Sequence, residues 1–322
     1  MDLYLGVDVG SVTAKFALID RDGQVLGSAY LRTSGRPISA IQQGLRQIRE
    51  EVPHDGVIRG VGTTGSGRYL AGAIMGADVI KNEVSSQAVA TLQYVTGAQT
   101  IIEVGGQDSK IIILRRGFIA DFGMNTVCAA GTGSFLDHQA SRLHIEIEDF
   151  GDWSAQSKDP VHISGQCAVF AESDMIRKQQ MGRPLEDILY GLCQALVRNY
   201  LHNVGSGKEI VSPIVFLGGV AFNQGMARAF REILGTDSVI VPPHHEVMGA
   251  IEAALLSLED KVARGGETKF NGFGISEATY HVSSFECKVC PSLCEIAQIS
   301  LNSTELASWG GRCDLWGRVL TG

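Results

Sequence analysis

The sequence lacks several features that would assign it to common protein classes. It has no run of about 18 apolar residues, which argues against a membrane-spanning helix, and no basic segment before a hydrophobic stretch at its start, which argues against a signal peptide. The net charge of −8 and the pI near 5.5 argue against nucleic acid as the main partner. Neither G-x-x-x-x-G-K-[ST] nor G-x-G-x-x-G occurs, which excludes P-loop and Rossmann nucleotide sites.

The amino-acid composition is that of a globular protein with a sizeable core. The chain has 322 residues, of which 44% are hydrophobic and 19% charged, enough for two domains and a small appendage. Seven cysteines without a secretion signal favour reduced thiols, metal sites or clusters over disulfides. We therefore expect a reduced cytoplasmic setting.

One structural plan occurs twice along the chain. Leu3–Gly10 is an apolar strand that runs into a glycine turn, and a second strand follows at Thr13–Asp20. Thr100–Ser109 and Lys110–Leu114 repeat this pattern about one hundred residues later. The repetition predicts two similar subdomains that face each other across a cleft. We assign them to residues 1–98 and 99–258, and a linker with a cysteine-rich module to residues 259–322.

The glycine turns of this repeat have the composition of a nucleotide site. The backbone N–H groups of the turn after Asp8 could cradle a phosphate, while Lys15 neutralises its charge and Asp8 holds magnesium-bound water. Gly105–Ser109 would do the same from the other subdomain, with Asp108 near magnesium and Gln107 orienting the attacking water. Gly218-Gly219 before a helix would leave room for the purine and ribose. Together these motifs resemble the actin, hexokinase and Hsp70 superfamily, which implies an α/β, actin-like (ribonuclease H-like) ATPase.

Three segments resemble a narrower family. Glu103–Lys110, Asn125–Leu136 and Cys167–Asp174 are similar to segments of the ATP-dependent activators of 2-hydroxyacyl-CoA dehydratases. Benzoyl-CoA reductase ATPase subunits and the reductases of double-cubane-cluster proteins share the pattern. The resemblance covers residues 3–258. Many members have Asp where this chain has Glu103, so the placement of water differs while the charge is kept.

The resemblance implies a homodimer with one [4Fe–4S] cluster between the subunits, ligated by Cys128 and Cys167 of each chain. It also implies ATP- and Mg²⁺-dependent transfer of low-potential electrons from ferredoxin or flavodoxin to a partner iron–sulfur protein. The predicted catalytic residues are Asp8, Glu103, Gln107 and Asp108, and the predicted cofactor-binding residues are Gly10, Ser11, Val12, Thr13, Lys15, Gly105, Gly106, Gly131, Thr132, Gly133, Gly218, Gly219, Asn223 and Gly249.

The positions of the two cluster cysteines agree with this chemistry. Helical patterns begin soon after Cys128, at Ser134, and directly after Cys167, at Ala168. The positive end of a helix dipole lowers a thiol pKa and stabilises an anionic cluster. Cys193, in contrast, lies within a helical pattern and is expected to be a small core residue.

Four more cysteines follow near the end of the chain. Cys287, Cys290, Cys294 and Cys313 have the spacing C-x2-C-x3-C-x18-C, which suits either tetrahedral zinc or a second [4Fe–4S] cluster. The uneven spacing and Pro291 favour the cluster, and a structural zinc ion is the alternative. A similar module follows the ATPase part of large relatives of these activators.

Two other functions remain open from the sequence. One is a small-molecule kinase of the same superfamily, although no sugar-pocket signature is present. The other is a non-redox nucleotide switch with structural zinc. Iron with sulfide would support the reductase, and zinc alone would support the switch.

Overall fold

The computed structural model describes residues 1–82, 87–125, 129–301, 303–313 and 315–316, and Cys128 lies outside them. No helix in this described part is both long and apolar enough to cross a bilayer. The strands are β1 (Asp2–Val9), β2 (Thr13–Asp20), β3 (Val25–Arg32), β4 (Val57–Thr64), β5 (Val79–Ile80), β6 (Thr100–Val104), β7 (Ser109–Arg115), β8 (Phe118–Met124), β9 (Ile214–Leu217), β10 (Val239–Ile240), β11 (Tyr280–Glu286), β12 (Glu295–Leu301) and β13 (Thr304–Trp309). The helices are α1 (Pro37–Glu51), α2 (Arg68–Met75), α3 (Gln87–Tyr94), α4 (Gly133–Leu143), α5 (Ile147–Ala155), α6 (Ala168–Gln180), α7 (Leu185–Asn203), α8 (Gln224–Leu234) and α9 (Met248–Arg264).

The chain forms two compact units that contain sheets of the same topology. The first unit comprises Met1–Gln87 and Gly249–Gly322, and the second comprises Ala88–Met248. The first sheet has the order β3-β2-β1-β4-β5, and the second has the order β8-β7-β6-β9-β10. In both sheets the first two pairings of this order are antiparallel and the last two are parallel. The predicted duplication is therefore confirmed.

The first unit is built around a helix that lies directly on the sheet. A Cβ atom added to Gly6 would lie 1.8 Å from the carbonyl oxygen of Ala250, and one added to Gly62 would lie 1.9 Å from that of Ala253. The two glycines, on β1 and β4, thus let the α9 backbone touch the sheet. Because of this contact α9 belongs to the first unit, so the compact units differ from the predicted segments 1–98 and 99–258.

The predicted linker is anchored to the first unit through Asp78. Residues 259–264 of that linker belong to α9. The Asp78 carboxylate, whose side chain is 3% exposed, pairs with Lys261 Nζ at 2.9 Å and accepts hydrogen bonds from the Thr268 hydroxyl and the Lys269 N–H. Burial alone would raise the pKa of Asp78, but these bonds and one from the Val61 N–H outweigh it and lower the pKa.

The C-terminal residues form a third sheet, of order β11-β12-β13. Ile299 and Ala307 of this sheet are buried in the hydrophobic core of the first unit, which also includes Ile74 of α2. The cysteine-rich segment therefore has strands of its own and is attached to the core at one end.

The second unit packs its helices around the long helix α7. Tyr200 of α7 is fully buried and makes an edge-on contact with Phe230 of α8, which in turn packs against Phe216 of β9. Cys193 is fully buried in the same core, as expected, and burial raises the pKa of its thiol to about 12. A thiol of this kind is chemically inert.

Candidate functional site

The turn between β1 and β2 is a short hairpin whose flanking side chains form an ion pair. Asp8 lies opposite Lys15 in the strand register, and Lys15 Nζ donates to Asp8 Oδ2 at 2.7 Å. The Gly10 N–H closes the turn by donating to the Thr13 carbonyl at 2.8 Å. Within the turn, Ser11 is exposed and Val12 is partly buried. The turn therefore presents its exposed end next to a buried carboxylate–ammonium pair.

Two glycines fit closely around Asp8. A Cβ on Gly65 would lie 2.5 Å from Asp8 Oδ1, and a Cβ on Gly249 would lie 2.6 Å from Asp8 Oδ2. Thr64 lies beside Asp8 in the β1–β4 register, and its buried hydroxyl has no hydrogen-bond partner among the described residues. This geometry brings the predicted residue Gly249 to Asp8 and leaves an unsatisfied hydroxyl at the same end of the sheet.

The hairpin between β6 and β7 repeats this geometry in the second unit. Glu103 lies opposite Lys110, whose Nζ donates to Glu103 Oε2 at 3.3 Å, and the Gly105 N–H donates to the Asp108 carbonyl at 2.8 Å. Gln107 and Asp108 are both exposed. The spacing of seven residues between carboxylate and lysine is the same in both hairpins.

A glycine of left-handed backbone follows the central parallel strand in each unit. Gly65, after β4, has φ +88°, and Gly218, after β9, has φ +91°. A Cβ on Gly65 would lie 2.4 Å from the Val9 carbonyl oxygen, and a Cβ on Gly218 would lie 2.4 Å from the Val104 carbonyl oxygen. Gly218 also donates its N–H to the His245 carbonyl. The predicted Gly218-Gly219 motif is thus the second-unit counterpart of the turn at Gly65, which the sequence analysis missed.

Asn223 has a local structural role in addition to its predicted place near the cofactor. It is the N-cap of α8, where its side chain accepts a hydrogen bond from the Met226 N–H at 3.2 Å. The Ser154 hydroxyl also lies 3.5 Å from Asn223 Oδ1.

The segment that contains Cys128 is tied at both ends to the β6–β7 hairpin. On one side, Asn125 accepts from the Ser109 N–H at 2.8 Å through Oδ1 and donates to the Gln107 carbonyl at 3.1 Å through Nδ2. On the other side, the N–H groups of Gly133 and Ser134 each donate at 2.8 Å, to the carbonyls of Gly105 and Gly106 respectively. These bonds bring the predicted residue Gly133 to the hairpin, together with Gly131 and Thr132, which are buried just before α4.

Cys167 is the N-cap residue of α6, as its sequence position predicts. It is partly exposed, and two apolar side chains in the first turn of the helix that follows, Val169 and Phe170, are exposed by 68% and 59%. Cys167 and Ala130 line the same small depression, and Ala130 is two residues after Cys128 in the sequence.

Asn199 of α7 supports both cysteine segments and was not predicted. Its Nδ2 donates to the carbonyls of Gly165 and Gln166, at 2.8 and 3.3 Å, directly before Cys167. A Cβ on Gly131 would lie 3.1 Å from Asn199 Oδ1. The sequence signal that could have identified Asn199 is its place as a polar residue on an otherwise apolar helix face.

The C-terminal cysteines lie outside the strands of the third sheet, three of them between β11 and β12 and one after β13. Cys287 is buried, Cys294 is partly buried, and Cys290 and Cys313 are exposed. Hydrogen bonds from the N–H and hydroxyl of Ser292 lower the pKa of the Cys290 thiol. Over residues 1–82, 87–125, 129–301, 303–313 and 315–316, no three His, Cys, Asp or Glu side chains are gathered closely enough to bind one metal ion.

Comparison with known families decides the classification. The model of the BadF/BadG/BcrA/BcrD ATPase family matches residues 5–257. This chain belongs to that family. The match ends before the third sheet, so the four C-terminal cysteines lie outside it.

Similar proteins are activators of acyl-CoA dehydratases. The activator of lactoyl-CoA dehydratase from Anaerotignum propionicum is 35% identical over 258 residues, which are 79% of this chain and 97% of that protein. The (R)-2-hydroxyglutaryl-CoA dehydratase activating ATPase from Acidaminococcus fermentans is 32% identical over 262 residues, with the same coverage of 79% and 97%.

A solved structure shows the same fold. The activator of 2-hydroxyisocaproyl-CoA dehydratase from Clostridium difficile with bound ADPNP superposes with a TM-score of 0.73 at 30% identity. The superposition covers 81% of this chain and 96% of that one. The predicted family and its actin-like ATPase fold are therefore confirmed.

Proposed function

We propose that this chain is an ATP-driven activator that transfers low-potential electrons to a partner iron–sulfur protein. The electrons come from ferredoxin or flavodoxin, and the acceptor is of the 2-hydroxyacyl-CoA dehydratase or double-cubane type. Membership of an ATPase family and the relatives named as dehydratase activators support this proposal.

One observation carries it: the segment containing Cys128 is bonded at both ends to the hairpin that carries Gln107 and Asp108. Any nucleotide that displaces this hairpin must also displace Asn125 and Gly133. A nucleotide switch without redox chemistry gives no reason for a cysteine at the centre of that segment. The arrangement supports coupling between the nucleotide state and a redox group.

Each hairpin carries groups suited to a nucleotide or its metal. Asp8 would hold magnesium through its bound water, and the unpartnered Thr64 hydroxyl beside it supports a further polar ligand at this position. Lys15 and Lys110 would neutralise phosphate charge, and Gln107 would orient the attacking water, since phosphoryl transfer to water depends mainly on positioning and electrostatics. The glycines that follow β9 would admit the purine and ribose.

Cys128 and Cys167 of two copies would together hold one cluster. The fit of Cys167 rests on its partly exposed place at a helix N-terminus, beside the exposed Val169 and Phe170, where a second copy can reach it. When bound, a [4Fe–4S] cluster supplies a one-electron carrier of low potential. The residues of this chain supply the thiolates, the positive helix end and the apolar rim.

The test is anaerobic purification of the full chain with measurement of iron, acid-labile sulfide, oligomeric state and ATP hydrolysis. In Cys167→Ser we expect loss of the about four irons per dimer that one bridging cluster requires. Cys193→Ser is the matched control, because that thiol is buried in the core and lies 3.9 Å from Asn223 Oδ1, which can accept from a serine hydroxyl. An iron content in Cys167→Ser equal to that of the wild type, or wild-type protein without iron, would contradict the bridging cluster and favour the nucleotide switch.

A further inference from the structure

The β11–β12 hairpin places two of the C-terminal cysteines opposite each other. Glu286 pairs with Glu295 in the strand register, so the next residues, Cys287 and Cys294, continue that pairing. The Cys287 N–H donates to the Cys294 carbonyl at 2.8 Å. Cα atoms in such a hydrogen-bonded pair are about 5.5 Å apart, and side chains of paired residues lie on the same face.

The other two cysteines lie at the same end of the sheet. Cys290 is in the turn of this hairpin, where its carbonyl accepts from the Leu293 N–H. Cys313 follows β13, and the chain then returns to the hairpin: the Trp316 Nε1–H donates to Cys287 Sγ at 3.2 Å, and the Trp316 ring contacts Phe285. Since Cys313 is three residues before Trp316, this contact confines it to the hairpin end.

The turn of this hairpin is exposed, although Ile296, two residues after Cys294, is fully buried. Residues 288–293 are exposed, including Val289 at 71% and Leu293 at 53%, while Ile299 and Ala307 are buried farther along the strands. A segment this small normally needs a metal or disulfide to fix its conformation. An N–H donor aimed at a cysteine sulfur is a typical feature of metal thiolates, because it stabilises their negative charge.

We propose that Cys287, Cys290, Cys294 and Cys313 bind one zinc ion per chain as a structural tetrathiolate site. Zinc needs thiols gathered within about 2.3 Å of one point, which suits cysteines paired across a hairpin, whereas a cubane spreads its ligands farther apart. The thiols are not gathered in the described conformation. Binding therefore turns the exposed Cys290 and Cys313 toward the Cys287–Cys294 pair.

The experiment measures zinc, iron and sulfide in the full chain purified anaerobically. We expect about one zinc ion per chain in the wild type, its loss in Cys290→Ser, and its retention in Val289→Ser, an exposed position in the same turn. Cys167→Ser should keep the zinc, which separates this site from the bridging cluster. Because Cys290→Ser could fail to fold, wild-type protein is also exchanged with Co²⁺ and examined for thiolate-to-cobalt charge-transfer bands.

Each outcome decides the proposal independently of the ATPase. Zinc that is present in the wild type and lost in Cys290→Ser supports the proposal. Intense charge-transfer bands of tetrahedral cobalt in wild-type protein also support it. Iron and sulfide that persist in Cys167→Ser but disappear in Cys290→Ser overturn zinc and assign a second cluster to this hairpin. Wild-type protein with neither metal at this hairpin nor cobalt bands overturns the site altogether.

Discussion

Replacement of Gly62 by alanine tests the contact between α9 and the first sheet. The new Cβ would lie 1.9 Å from the Ala253 carbonyl oxygen, about 1.4 Å closer than the 3.3 Å at which carbon and oxygen normally meet. Because the obstructing atom belongs to the backbone of a helix, no side-chain rotation relieves the clash. The helix must move away from the sheet.

The expected cost is near the upper end for an overpacked core, about 3 kcal/mol. For units of this size such a loss lowers Tm by roughly 6–12 °C. The displacement also moves Gly249, at the start of α9, away from Asp8, so we expect weaker nucleotide binding in addition to lower stability.

Thermal and denaturant unfolding of Gly62→Ala should be compared with Gly274→Ala. A Cβ on Gly274 meets nothing within 4 Å, and Gly274 belongs to the same unit, which makes it a matched control. Nucleotide affinity is then measured by calorimetry on both variants. If Gly62→Ala unfolds at the same temperature as the control and binds nucleotide equally well, the close helix–sheet contact and its link to Asp8 are refuted.

Three further predictions concern single residues. Asp78→Asn should cost about 1–3 kcal/mol in denaturant unfolding, since it removes the charge that pairs with the partly buried Lys261, whose Nζ keeps its hydrogen bond to the Glu267 carbonyl. Because the pKa of Asp78 is lowered in the fold, its stabilisation is complete above the ordinary carboxyl pKa and is lost as the pH falls through the folded value. A stability difference between wild type and variant that does not shrink in acid would contradict this. Tyr200→Phe removes the 2.6 Å bond from its hydroxyl to the Lys110 carbonyl and should cost about 1–3 kcal/mol; an unchanged denaturation midpoint would show that this bond contributes nothing. Gly218→Ala, strained at φ +91° and blocked by the Val104 carbonyl, should abolish ATP hydrolysis, and a fully active variant would remove this turn from the nucleotide site.

The strands and turns around the nucleotide hairpins could be predicted from the sequence because their signals are local. An apolar run followed by a glycine turn predicts β1 and β6 directly, and the repetition about one hundred residues later predicts the duplication. The start of β9 is also local: the strand begins at Ile214, directly after Pro213, which has no N–H to donate to a neighbouring strand.

The contacts between distant segments could not be predicted in this way. Asn125 and Asn199 act through backbone groups far away in the sequence, and nothing in their neighbouring residues indicates those partners. The place of α9 in the first unit also depends on a distant contact. Its small residues Gly249, Ala250 and Ala253 indicate close packing, but they do not identify β1 and β4 as the surface that they touch.

The duplicated hairpins allow the backbone and the side chains to be considered separately. Both turns keep one frame, with a carboxylate opposite a lysine and the same closing hydrogen bond. At the tips the chemistry has diverged: Ser11 and Thr13 are hydroxyls, whereas the corresponding positions after Gly105 carry Gly106 and Asp108. Each half of the molecule is consequently an internal reference for the other. Exchanging the tip residues between the halves changes the chemistry of each turn while its frame stays constant, a comparison that a protein without duplication cannot provide.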